Sequence, residues 1–492
     1  MFFKNAENIA ENKEVFLFFF GITSVKIKKV SSKEMLYIML EIITKIDAAI
    51  NGIVWGPVML ALLICTGLFL SFRLGFPQFT RFGYMMKNTL FGLFSKKQHK
   101  VSSSGVSPFQ AVATAMAGTI GTGSIAGLAT AIVAGGPGAV FWMWVSALLG
   151  MTTKYAEIAL SIKFREKNEK GRYVGGPMYY IKNGLGPKFK ILGILFSVFA
   201  MLACLGTGNA TQSNSIAIAL EDFVPTWVTG IVLVVISAAV ILGGMRRIAS
   251  VNEKLVPFMA MFYVVCSVVC LIINAEKIPA AFALIFREAF NTKAALGGAA
   301  GYGIMTAMKF GFSRGVFSNE AGLGSAPIAH AASSAKTPVQ QALWGMFEVF
   351  FTTIIICTCS ALVILTTDFW HTGTADGALL SIRSFNAIIP GIGGVGVTLS
   401  TIFFALSTIL GWAYYGEVCM EFLTNKNHKT VVIYRVIYIA FVYVGAVGNL
   451  DLIWSISSTM NGLMAIPNLI AIIGLIPVIK QINDEHFNAQ LK

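Results

Sequence analysis

The stretch from Pro108 to Arg165 constrains the fold more than any other. It is apolar for long enough to cross a bilayer, yet a Gly-Thr-Gly-Ser run, Gly121 to Ser124, breaks it. PFQAVATAMAGTI precedes the run and IAGLATAIVAG follows it. Hydrocarbon cannot hydrate loose backbone, so a helix interrupted at that depth must border protein or a wet cavity. In transporters built from paired repeats, such breaks aim freed amides at an anionic group and freed carbonyls at a cation. Thr119 to Ser124 is therefore a candidate binding site. Close helix packing, which small residues also permit, is the competing reading of the same run. Gly121-Thr-Gly123-Ser-Ile-Ala126 also matches the dinucleotide fingerprint, but the soluble strand and the ribose-binding acid about twenty residues on are both missing.

The rest of the chain agrees with a membrane setting. Apolar residues make up 56% and charged residues 12%, against about 45–50% and 25% in soluble proteins. The formal net charge of +14 then describes basic loops, not a nucleic-acid surface. The seven cysteines, Cys65, Cys204, Cys266, Cys270, Cys357, Cys359 and Cys419, fall in apolar spans without disulfide or metal spacing. Residues 1–34 do not fit: they are polar and basic around a short apolar run, Val15 to Ile22, which is below the roughly 20 residues a span requires. They read as a dispensable extension, with Met35 an alternative start and 35–51 an amphipathic lead-in helix.

The expected architecture is an all-α polytopic membrane protein of eleven transmembrane helices. They fall at about 52–72, 108–134, 137–162, 191–219, 226–244, 255–274, 297–325, 340–366, 392–422, 431–448 and 453–479. Loops after odd-numbered spans, with Arg435 at the start of span 10 and the tail 480–492, hold 23 lysines and arginines; those after even-numbered spans hold 4. The odd side is therefore cytoplasmic, with the N-terminus outside and the C-terminus inside. Span 7 is again glycine-interrupted and carries Lys309, Arg314 and Glu320 at membrane depth. It follows the first broken span by five helices, an odd number, so the second repeat inserts upside down. The units are then 52–107, a first helix with a basic loop, and two five-helix repeats, 108–274 and 297–479. Inverted repeats with one discontinuous helix each point to a central transport site.

At these residues the chain resembles a known family. PFQAVATAMAGTIGTGSIAG, GGPGAVFWMWVSALLGMTTKYAE, GGPMYY, GGMRRIASVNEKLVPFMA, RGVFSNEAGLGSAPIAHAA and LGWAYYGE resemble the alanine or glycine:cation symporters, also called sodium:alanine symporters. The likeness runs from about Asn51 to the end of the last span. It implies a leucine-transporter-like fold: one extra N-terminal helix, then a 5+5 inverted-repeat core whose discontinuous helices are spans 2 and 7.

A small zwitterion needs donors for its carboxylate, acceptors for its ammonium and a sized pocket. The amides of Gly121, Thr122, Gly123 and Ser124, with the Thr122 and Ser124 hydroxyls, suit the carboxylate. Gln212, polar in an apolar span, resembles the family's substrate-contacting glutamine; an interhelical hydrogen bond is its other reading. Span 7 is expected to open at Met308 to Gly311, with Met308 and Phe310 lining the pocket. Trp412, one turn from Thr408, resembles the residue that limits side-chain size, with aromatic core packing as the alternative. The resemblance implies a sodium ion between the carbonyls of Ala117 and Ile120 and the hydroxyls of Ser407 and Thr408. Hard oxygen donors of this kind suit sodium.

Ser124 stands where the family usually has asparagine, and Thr352 where it usually has a carboxylate. Glu348, one turn before Thr352, could replace that charge. Ser124 and Glu348 are thus candidates for a second cation site, and a titrating Glu348 could carry protons instead of sodium. Lys154 and Glu157, three apart, are expected to interact locally. Arg314 and Glu320 are expected to gate the cytoplasmic side or to hold the half-helix. The five histidines look scattered, and no metal cofactor follows. The leading expectation is sodium-driven uptake of alanine or glycine across the cell membrane by alternating access. Proton coupling and an ion channel rank lower, and no nucleophile and base suggest an enzyme.

Overall fold

The computed structural model describes residues 32–94, 104–291, 303–367, 369–371, 377–448 and 451–489. The chain divides into a leading unit through Ala49 and one body, Ile50–Lys492. The expected extension 1–34 lies almost wholly outside the described residues, and the expected lead-in 35–51 falls within one helix, Ser32–Val54.

Among the described residues, seven helices are long and apolar enough to cross a membrane, and the bent pair Pro108–Thr119 and Thr122–Gly135 makes eight. The other three expected spans are helical but differ in kind. Gly138–Lys163 has the length, but it carries Lys154 and Glu157, both fully buried. Thr226–Ile241 is short, at 16 residues. Span 7 is split into Ile304–Asn319 and Ala326–Ala331, and its expected start, 297–302, lies outside the described residues. Two further helices, Ile278–Ala289 and Gly377–Ile388, occupy the connections before span 7 and before span 9.

Proline at the first helical position starts several spans, where its missing N–H costs no bond. Before Pro108 the Ser107 hydroxyl accepts from the Gln110 amide and Gln110 Oε1 accepts from the Ser107 amide, both at 3.0 Å. Thr337 caps the helix at Pro338 in the same way, at 3.2 Å.

The surface is inverted relative to a water-soluble protein. Val58, Phe72, Trp227, Val235, Met261, Ile272 and Ile392 are more than half exposed, while Lys154, Glu157, Asn209, Asn252, His330 and Glu348 are buried. Contiguous exposed apolar surface of this kind faces lipid. Gly138–Lys163 packs extensively on Ile304–Asn319 and on Pro338–Val349, and Lys190–Leu205 on Asp451–Gly474. Thr226–Ile241 packs on His428–Val447, and Met245–Ile273 on Ile392–Leu423.

Candidate functional site

The first break is built by its neighbours as much as by its own glycines. The Pro108–Thr119 helix ends where Ile120 leaves helical geometry at ψ 67°, and Gly121 is extended at φ −105°, ψ −165°. One tight turn, Thr122–Ser124, follows before Ala126–Gly135 resumes, bent by 61°. The helix Ile392–Leu423 lies against the gap. Thr408 Oγ1 sits 2.9 Å from the Ala117 carbonyl and 2.9 Å from that of Phe404; Ser407 Oγ is 3.4 Å from the Ala117 oxygen. The indole N–H of Trp412 donates to Gly118 O at 3.4 Å. Carbonyls that a continuous helix would occupy thus meet side chains, and the amides of Gly121, Thr122 and Gly123 take no backbone partner among the described residues. Freed amides and carbonyls at one point suit ligands of both signs.

The second break does not fall at Met308 to Gly311. That segment is inside an unbroken helix, Ile304–Asn319, and the interruption comes at Glu320 to Ser325. Glu320, Gly322 and Gly324 all have positive φ, at 56°, 88° and 84°, a region glycine enters freely and other residues rarely. Gly311 serves packing instead: a Cβ there would lie 2.4 Å from the Ala139 carbonyl and 2.6 Å from Trp142 Cβ. Phe310 packs on Gly135 and an apolar cluster containing Leu128, Ile132 and Ala139, and Met308 is half-buried one turn before Phe312. The glycines here signalled close approach, which sequence alone does not separate from unwinding.

Lys154 and Glu157 do not pair with each other. Each reaches a main-chain group freed by the second break: Lys154 donates to the Asn319 carbonyl at 2.8 Å, and Glu157 Oε1 accepts from the Gly322 amide at 3.1 Å and from Asn468 Nδ2 at 2.5 Å. Residues three apart share a helix face, and that face meets both polarities of the gap. Lys154 Nζ also lies 3.4 Å from Glu348 Oε1.

His330 lies on the short helix Ala326–Ala331. It is fully buried, with Nε2 3.0 Å from Glu348 Oε2 and Nδ1 2.8 Å from Gln341 Nε2. With the Gln341 amide donating to Nδ1, the ring proton sits on Nε2 and points at Glu348. Glu348 is thus held by an ammonium and an imidazole N–H. Thr352 lies one turn on, in a widened stretch, Phe350–Cys357. Such wide turns recur where helices pass functional sites.

Between the breaks lies a small internal cavity of about 20 Å³, room for about one water. Thr119, Gly121, Gly123, Gln212, Thr408 and Trp412, all expected from sequence, line it. Thr122 and Ser124 do not. The Thr122 hydroxyl donates to Gln212 Oε1 at 3.1 Å, and Ser124 Oγ shares a 3.1 Å bond with Ser318 Oγ. Gln212 Nε2 in turn donates to Thr207 O at 3.0 Å, so its interhelical and pocket roles coexist. Ile120 is fully buried at the break.

Sequence reading missed Gly118, Thr207, Phe317, Glu320 and Asn461 as cavity lining. Glu320 had a legible signal, a carboxylate at membrane depth. Asn461, an amide in an apolar span, had a fainter one. Among the described residues no group of three or more His, Cys, Asp or Glu could hold a metal.

The pattern that defines the Sodium:alanine symporter family matches residues 40–492. The chain is similar to the Sodium/alanine symporter AgcS of Methanococcus maripaludis, 47% identical over 87% of this chain and 94% of that protein. It is also similar to the Amino-acid carrier protein AlsT of Bacillus subtilis, 37% identical over 84% and 85%. Among solved structures, the Eremococcus coleocola manganese transporter superposes with a TM-score of 0.50 over 80% of this chain and 91% of that one, at 14% identity. That likeness concerns the fold alone, which is leucine-transporter-like. Two broken helices, a cavity between them with donors and acceptors on its walls, and a match across nearly the whole body lead to one assignment: the chain belongs to the sodium:alanine symporter family, and is a multi-pass membrane transporter and not an enzyme.

Proposed function

We propose that this protein takes up alanine, and also glycine, by coupling it to inward sodium flow through alternating access. One observation carries the reading: the unwound Ala117 carbonyl lies within 2.9 and 3.4 Å of the Thr408 and Ser407 hydroxyls, beside a cavity walled by the unpaired amides of Gly121 and Gly123. Three hard oxygens at the end of a half-helix favour sodium. Ile120 is the expected fourth contributor. The adjacent amides favour the substrate carboxylate, and Trp412 and Phe317 leave room only for a small side chain. Met308, Phe310 and Gly311 fall outside this arrangement.

The helix pairings support the inverted repeat. If spans 2–6 correspond to spans 7–11, the 4 with 11 packing maps onto 9 with 6, while 3 with 8 and 5 with 10 map onto themselves. All four pairings occur. On this reading eleven helices cross the membrane, with the basic loops and the C-terminus in the cytoplasm and the N-terminus outside. Proton coupling through Glu348 has less support, because Lys154 and His330 already hold that carboxylate.

The test is uptake of labelled alanine into proteoliposomes. Uptake that needs an inward sodium gradient is expected; equal uptake with choline and a proton gradient would move the assignment to proton coupling.

A further inference from the structure

Around the second break there is more buried carboxylate than buried cation. Glu157, Glu320 and Glu348 are 0%, 2% and 0% exposed. Glu157 is met by the Gly322 amide and Asn468, and Glu348 by Lys154 and His330. Glu320 accepts a short hydrogen bond from the Ser325 hydroxyl at 2.5 Å, with the Trp412 indole as a second, neutral donor and Lys154 acting only at longer range, and it forms no ion pair among the described residues. A hydroxyl does not neutralise a carboxylate, so an anion held there recruits a cation or gives up its charge.

Glu320 also sits where a side chain is conformationally costly. At φ 56°, ψ 16° it is left-handed, a conformation a non-glycine residue keeps only where the surroundings impose it, commonly at ligand sites. Glycine would fit the turn with less strain, yet the position carries a carboxylate that lines the central cavity.

An independent observation concerns the same cavity. Asn461, from the helix Asp451–Gly474, is 1% exposed and lines the cavity, and its Oδ1 has no hydrogen-bond partner among the described residues. An orphaned buried acceptor requires explanation. The cavity is thus bipolar, with unpaired amides of Gly121 and Gly123 contributed by the first break and a carboxylate and an amide oxygen elsewhere on its lining. A bare cation would use only the second set; a zwitterion uses both.

Building on the symport reading, we propose that Glu320 and Asn461 receive the α-ammonium group of the transported amino acid, whose carboxylate lies on the Gly121 and Gly123 amides. Glu320 is then a substrate-binding residue, and the gap in span 7 is the ammonium end of the site. Ligands with a carboxylate and no ammonium, such as lactate or propionate, leave both acceptors buried and unmet, and are rejected.

The experiment compares wild type, Glu320→Gln, Asn461→Leu and the double variant Glu320→Gln/Asn461→Asp in proteoliposomes, measuring half-saturation for alanine and for sodium. Glutamine keeps the acceptor for Ser325 and removes the charge. The alanine half-saturation is expected to rise by about 30-fold or more in Glu320→Gln, the scale for truncating one side of a buried charged contact, with sodium half-saturation at saturating alanine unchanged. Asn461→Leu is expected to rise less. The double variant, which returns a carboxylate to the lining of the same cavity, recovers part of the alanine affinity, an effect that mere support of the turn would not produce. Unchanged alanine half-saturation in both single variants, a shift confined to sodium, or a double variant no better than Glu320→Gln would overturn the assignment. Wild-type protein that ignores alanine altogether would instead overturn the symport reading.

Discussion

Gly121→Ala places a methyl group against the hydroxyl that closes the first break. A Cβ at Gly121 would lie 2.8 Å from Thr408 Oγ1 and 3.7 Å from Gln212 Oε1. The backbone is extended there, at φ −105°, ψ −165°, which alanine adopts freely, so the contact is the only perturbation. Thr408 is buried, with its hydroxyl 2.9 Å from the Ala117 and Phe404 carbonyls. Either that hydroxyl swings off Ala117 O or the Ile392–Leu423 helix retreats from the break. Overpacking of this kind costs about 1–3 kcal/mol. Falling on the cation-bound state, it raises the sodium concentration for half-maximal alanine uptake roughly 5- to 150-fold. The assay is the initial rate of labelled alanine uptake into proteoliposomes against sodium concentration. Gly127→Ala is the control, since a Cβ there meets nothing within 4 Å and alanine is favoured in a helix by about 1 kcal/mol. Wild-type sodium dependence in Gly121→Ala would refute the placement of the cation at Ala117, Ser407 and Thr408.

Gly123→Val is expected to abolish alanine binding, because its Cβ alone would come within 3.1 Å of the Phe317 ring and the branched side chain would fill the approach to the free amide; scintillation-proximity binding reads the effect. Lys154→Met leaves Glu348 without its ammonium and Asn319 O without its donor, a loss of about 3–5 kcal/mol. It is seen as a lower melting temperature in detergent, and Lys154→Met/Glu348→Gln is expected to recover part of it. In the basic loop after span 3, burial raises the Glu166 carboxyl, but hydrogen bonds from Lys182, Asn183 and Lys426 outweigh it and bring it down to about 2. A depressed carboxyl stabilises the fold above its unfolded value near 4.5 and loses that stabilisation as pH falls from there towards 2. Glu166→Gln is therefore expected to flatten that limb of the melting temperature against pH, and an unchanged limb would contradict the pairing.

Composition and apolar run length were enough to read a polytopic helical protein, and the Gly121 to Ser124 interruption was legible as a candidate break, with close helix packing as its rival, because glycine and hydroxyl residues cluster there in mid-span. Gln212 on span 4 was legible because a polar side chain in an apolar helix has to face a partner, whereas Ser407 and Thr408 on span 9 were picked out only through the family resemblance, since a Ser-Thr pair in a membrane helix can bond back to its own helix. Span 7 was harder. It holds Gly297, Gly298, Gly301, Gly303, Gly311, Gly315, Gly322 and Gly324, and glycine marks both unwinding and close approach. Only the packing of Gly311 on Ala139 and Trp142, set against the positive φ of Gly322 and Gly324, separates the two.

Partners of the buried charges were beyond local sequence. Lys154 and Glu157 are neighbours on one helix, yet their partners Asn319, Gly322, Glu348 and Asn468 are 165 or more residues away in the chain. His330 looked like one of several scattered imidazoles until folding set it beside Glu348 and Gln341. The one-dimensional pattern determined that helices would cross the bilayer and where one of them must lose its winding, since both follow from hydrogen-bond satisfaction along a single segment. Which freed amide, carbonyl or carboxylate faces which was decided by the three-dimensional packing of separate helices, because a buried charge takes the partner that is close in space, whatever its place in the chain.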